Sequence, residues 1–105
     1  MTLAIWKWRS LWPLRIGKLV MRSLDQGRCP YGLVRFDAEF FAHEMRQRFG
    51  DPSSDAEAPF IIDVCDFTGH GANWILLECG WHVPEESLAE VVRMCAQRGL
   101  HVHSE

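Results

Sequence analysis

The stretch that most constrains this chain is Phe60 to Trp81, FIIDVCDFTGHGANWILLECGW. Two apolar runs, near 60–67 and 74–81, flank a connection at 68–73 rich in Gly and Asn, which is the pattern of a β-hairpin. A connection longer than two residues leaves the register to the side chains. Carboxylates interrupt the runs at Asp63, Asp66 and Glu78. Such groups on an apolar strand mark a solvent face, a site or a docking surface, because burying them unpaired is costly. Strand parity sets Asp63 and Asp66 on opposite faces, so they do not form one carboxylate pair. Asp63 and Glu78 share a face if the register brings them together. At the tip, Gly69 and Gly71 free the backbone on either side of His70.

The rest of the chain supplies what a hairpin needs to become stable. Leu3 to Trp8 reads as a first strand, with Ala4, Trp6 and Trp8 on one face and Leu3, Ile5 and Lys7 on the other. Pro13 opens a first helix that stops near Gly27, with Arg15, Lys18 and Arg22 along one side. Leu33 to Phe36 is a short extended piece. Asp37 is the N-cap of a second helix ending at Gly50, and Phe36 with Phe41 forms a hydrophobic staple. Its buried stripe is Ala38, Phe41, Ala42, Met45 and Phe49, with Phe40 off centre. Residues 51–59 form a polar surface loop. Val83-Pro84 opens a third helix, whose stripe is Leu88, Val91, Val92 and Cys95. Glu85 and Glu86 in its first turn, and Arg93 and Arg98 in its last, suit the helix dipole. Leu100 to His103 adds a last short strand.

The order β-α-(β)-α-β-β-α-β predicts an α+β fold: a single mainly antiparallel sheet of three to five strands with about three helices packed on one face. At 105 residues the expectation is one domain over 1–105. The other sheet face is then free for solvent or a partner.

Net charge is −3, unevenly spread. Residues 1–36 carry seven basic side chains against Asp25, a balance of +6, and residues 37–105 carry four against thirteen acids, a balance of −9. The two halves either pair inside the fold or leave two poles on its surface. Four cysteines, at 29, 65, 79 and 95, form no Cys-x-x-Cys, and no uncharged window is long enough to span a bilayer. The chain reads as cytoplasmic, with free thiols and no membrane segment.

Candidate chemistry is sparse. His70 with Asp66 and Thr68 offers a base and an orienting carboxylate at the hairpin tip, and also reads as an exposed turn histidine. His101 and His103 share a strand face, and His70 and His82 add imidazoles, but the Cys and His positions match no zinc-finger spacing, so no metal is expected. Gly69 and Gly71 lack the pattern of a phosphate loop, and no cofactor motif is present. Trp6, Trp8 and Trp12 interleave with Lys7, Arg9 and Arg15, as in nucleic-acid platforms or protein hot spots. Overall acidity argues against nucleic acid.

Four segments carry a resemblance: Leu3-Ala-Ile-Trp-Lys7, Pro59-Phe-Ile-Ile-Asp63, Trp74-Ile-Leu-Leu77 and Ala96-Gln-Arg-Gly-Leu100. They resemble a group of small, mostly uncharacterised bacterial α+β proteins, some of which are similar to immunity proteins of interbacterial toxin systems. The resemblance implies a binding protein without catalytic residues. The expectation is a protein-binding module that neutralises a toxin through an acidic surface, with Asp63, Asp66, His70, Asn73, Glu78 and Trp8 at the contact. A small hydrolase-like enzyme with a His/Asp site at the 66–73 tip, and a homodimer through the free sheet face or the last strand, are the alternatives.

Overall fold

A computed structural model describes residues 1–9, 22, 26, 32–67, 72–80 and 83–104. Five strands and two helices stand among them: β1 (Thr2–Trp8), β2 (Leu33–Val34), α1 (Ala38–Phe49), β3 (Phe60–Phe67), β4 (Ala72–Cys79), α2 (Glu85–Gln97) and β5 (His101–Ser104). The strands form one antiparallel sheet in the order β2-β1-β4-β3, with β5 also paired to β1. The fold is α+β as expected, with two helices among the described residues instead of about three. The first expected helix falls on 13–27, outside those residues except for Arg22 and Gln26.

β1 is the organising strand. It pairs with β4 through Thr2–Ile5, with β5 through Leu3–Trp6, and with β2 at Lys7 and Trp8. Its alternation therefore feeds two different environments. Leu3 and Ile5 join Phe60, Ile62, Ile75 and Leu77 in the main core, against which both helices lay their apolar sides. Ala4 and Trp6 point the other way, into a second cluster with Leu33, Ala72 and Trp74, edged by Trp8, Cys65 and Leu76. The sheet face opposite the helices is thus not left open to solvent along its whole length. Trp6 is fully buried there, because an indole this large stabilises more by burial than a bare sheet face would allow.

α1 follows its capping signals. The Asp37 carboxylate accepts from the Phe40 N–H at 3.3 Å, and Ala38, Phe41, Ala42 and Met45 are buried. Gly50 ends it at φ 99°, donating its N–H to Arg46 O at 2.9 Å. A side chain there would also meet Asp55 Oδ2 at 3.0 Å. Phe49 packs edge-on against Phe60, with ring centroids 5.1 Å apart. α2 buries Val91, Met94 and Cys95, while Val92, placed on the stripe by spacing, is 49% exposed. Both patterns are helical; the sheet selects the one rotated toward Met94. Arg98 stands at the C-cap, just beyond the last turn, and Arg93 pairs with Glu90.

The hairpin matches its first strand and shifts its second. β4 begins at Ala72, two residues earlier than the apolar run suggests. The reason is Asn73, a polar residue that belongs to the strand because it has a partner waiting for it.

Candidate functional site

The register Ile61↔Glu78, Asp63↔Leu76, Cys65↔Trp74 and Asp66↔Asn73 sorts the expected contact residues into two groups. Asp66 and Asn73 lie on the face toward the helices and are consumed in a clasp. Arg35 Nη2 sits 2.9 and 2.8 Å from the two Asp66 carboxylate oxygens. Asn73 is buried; its Oδ1 accepts from the Phe36 N–H at 3.0 Å and its Nδ2 donates to Phe36 O at 2.9 Å. Together these bonds tie the segment after β2 to the β3–β4 ladder and aim Asp37 into its capping position. Their geometry makes them tethers for the fold.

Asp63 and Glu78 lie on the opposite face and are exposed. They stand in adjacent rows, diagonal to each other, at roughly 7–8 Å for such pairs, too far to share a proton. Among the described residues neither is in an ion pair, so both mark a solvent face. Ile61, beside Glu78 in the register, is 52% exposed. Trp8 is half-buried, edge-on to Trp6 with centroids 5.9 Å apart. His70, the sixth expected residue, lies outside the described residues.

Other carboxylates collect at the same end of the sheet, and composition alone did not reveal it. Phe60 pairs with Cys79, and Pro59 O accepts from the Gly80 N–H at 3.1 Å. The 51–59 loop and the end of β4 therefore meet, and α2 starts five residues later. An open recess of about 700 Å³ is lined by Arg48, Phe49, Ala56, Glu57, Pro59, Pro84 and Ser87, which brings the loop against the start of α2. Asp55, Glu57, Glu78, Glu85 and Glu86 are exposed around this end, with Asp51 half-exposed. Asp51 is held below the usual carboxylate range by the Ser53 N–H and hydroxyl that it accepts. The nearby Arg48 is already matched by Glu90 at 2.9 Å, and Arg46 donates to Ile62 O on β3 at 3.2 Å. Glu90 also lies below its ordinary range, first through its hydrogen bond from Arg93.

The opposite end carries Lys7 and Arg9, together with the exposed Asp37 and Glu39 where α1 begins. β1 runs from Thr2, paired with Glu78, to Lys7, about 16 Å further along, followed by Arg9. Internal pairing (Arg35 with Asp66, Arg98 with Glu44, Arg48 and Arg93 with Glu90) answers these cations, while among the described residues Lys7 and Arg9 are in no ion pair.

On the second sheet face, His101 stacks near Trp6 at 4.8 Å and His103 at 6.4 Å between ring centroids. Trp6 Nε1 is buried without a hydrogen-bond partner. Burial, and then His103, push the His101 imidazole below its ordinary pKa. Among the described residues no three His, Cys, Asp or Glu side chains converge as metal ligands. Cys65, Cys79 and Cys95 are free thiols, all raised first by burial, Cys95 to about 12. Among the described residues no helix is long and apolar enough to cross a membrane. In comparisons with known proteins, the chain matches no family model, no curated protein and no solved structure.

Proposed function

We propose that this chain is a protein-binding module that presents its acidic end to a basic protein partner. The observation that carries the reading is the concentration of exposed carboxylates at one end of the sheet, with Asp63 and Glu78 unanswered by any described cation. The recess on the helix side of that end supports it, being lined by Phe49, Ala56, Pro59 and Pro84 with Glu57 and with Arg48, whose charge Glu90 answers. That chemistry receives the aliphatic stem of a lysine or arginine and faces its head with the Glu57 carboxylate. Exposed Ile61 adds apolar area next to Glu78, and charge complementarity would accelerate the encounter.

The resemblance to immunity proteins supports a toxin as that partner, one whose own surface is basic because it acts on a polyanion. The acidic end would then cover the toxin's working surface. Neutralisation needs no turnover, and the Asp66 carboxylate, held by Arg35, serves the fold in this reading.

The experiment is quantitative capture from the native host extract, using the parent chain and the double variant Asp63→Lys/Glu78→Lys, at low and moderate salt. Both positions are exposed, so the variant keeps the parent's circular dichroism. The parent retains a basic protein saturably and the variant loses it by at least about tenfold, since each reversed charge turns attraction into repulsion. Equal retention by both chains, or the absence of any saturable partner at low salt, would overturn the reading.

A further inference from the structure

At the Lys7 end of β1, a partly enclosed cleft of about 240 Å³ opens between β1, the start of α1 and the turn before β5. Its lining is Lys7, Phe36, Asp37, Phe40, Phe41, Arg98 and Leu100. The volume lies just below the range that takes drug-sized ligands, so the occupant is smaller. The walls are aromatic, and Phe40 is 59% exposed at the edge of the cleft while Phe41 beneath it is buried.

Formal charge around the cleft sums to zero, with Lys7 and Arg98 against Asp37 and Glu44, but among the described residues Lys7 alone of the four has no hydrogen-bond or ion-pair partner, and that residue decides the chemistry. Arg98 is matched: its Nη2 donates to Glu44 at 2.5 Å, its Nη1 to Met94 O at 3.2 Å, and its Cζ lies 5.2 Å from the Phe41 ring centroid. Asp37 is matched as the N-cap of α1, whose first turn carries a partial positive charge. Lys7 is exposed and has no ion-pair partner among the described residues. One ammonium thus stands unanswered over a floor of Phe36, Phe40 and Leu100.

We infer that this cleft binds a small carboxylate with an apolar body, its anionic group on Lys7 and its hydrocarbon against Phe36, Phe40 and Leu100. Arg98 retains unused N–H donors that reinforce the anion. The same chemistry is offered by a free aryl or alkyl acid and by the C-terminal aromatic residue of a peptide. The site is separate from the acidic end, so either can fail without the other.

The test is a nitrogen–proton correlation NMR titration of the full chain with 3-phenylpropionate and with its neutral amide, 3-phenylpropionamide. The acid produces saturable shifts at the amides of Lys7, Phe40 and Leu100, and binds about tenfold more tightly than the amide, the contribution of one charge-assisted hydrogen bond. Lys7→Gln lowers the acid to the level of the amide and leaves the amide unchanged; Phe40→Ala weakens both. N-acetyl-Gly-Gly-Phe with a free C-terminus binding more tightly than the simple acid assigns the site to a peptide end, and weaker binding assigns it to the free acid. Equal affinity of acid and amide for the parent chain, or no saturable shift at these positions, would overturn the inference whatever the variants do.

Discussion

Asn73 shows how one polar residue decides local structure. By composition it reads as part of a turn, yet both ends of its amide bond the Phe36 backbone. Truncating it leaves the part-buried Phe36 N–H and C=O without this partner. Asn73→Ala is therefore expected to lower stability by about 1–3 kcal/mol in urea unfolding, an effect the exposed Asp63→Asn does not share. His101 supplies a pH dependence. Its folded pKa lies below the unfolded value, so the unfolded chain takes up a proton first as pH falls. The contribution of the neutral, Trp6-stacked imidazole is complete above about pH 6.5 and is lost as pH drops from there toward the lowered folded pKa. Urea midpoints measured between pH 7.5 and pH 5 should fall for the parent and fall less for His101→Gln. Cys95, with its thiol raised to about 12 by burial, should react with a thiol reagent at the rate of global unfolding, and denaturant should accelerate it.

At the scale of elements, what the sequence makes legible is whatever depends on neighbours along the chain. α1 could be read nearly to its ends, because Asp37 and Gly50 punctuate it and Ala38, Phe41, Ala42 and Met45 repeat at helical spacing. β3 could be read residue for residue, since its alternation and its flanking loop are both local. α2 was placed correctly along the chain but rotated by about one residue. Val92 and Met94 both satisfy a helical stripe, and only the sheet beneath them distinguishes the two. Met94→Ala should cost about 2–5 kcal/mol and Val92→Ala less than about 1 kcal/mol, by urea or thermal unfolding. The face opposite the helices is less legible still. Alternation in β1 assigned Ala4 and Trp6 to one side correctly, but nothing in a strand's own residues says that Leu33, Ala72 and Trp74, from three separate segments, gather around them. The candidate site divided in the same way. Asp63 and Glu78 lie on one face by parity and register, whereas the exposed pairing of Asp66 with Arg35 spans 31 residues and leaves no local trace.

Over the whole molecule, the basic first third and the acidic remainder suggested either cancellation or two poles. Pairs between elements neutralise Arg35, Arg48 and Arg98, and exposed carboxylates gather at one end because antiparallel connections bring the 51–59 loop, the end of β4 and the start of α2 together, far from Lys7 and Arg9. A molecule polarised in this way steers a basic partner toward one end, and salt weakens that steering within a Debye length of about 10 Å at 0.1 M ionic strength. The most direct measurement is the association rate constant for the captured partner, by stopped flow, from roughly 0.03 to about 0.3 M salt. The parent chain should slow by at least about tenfold across that range, while Asp63→Lys/Glu78→Lys is slow throughout and nearly flat. A parent rate that does not change with salt, or a double variant as fast as the parent, would contradict docking through the acidic end.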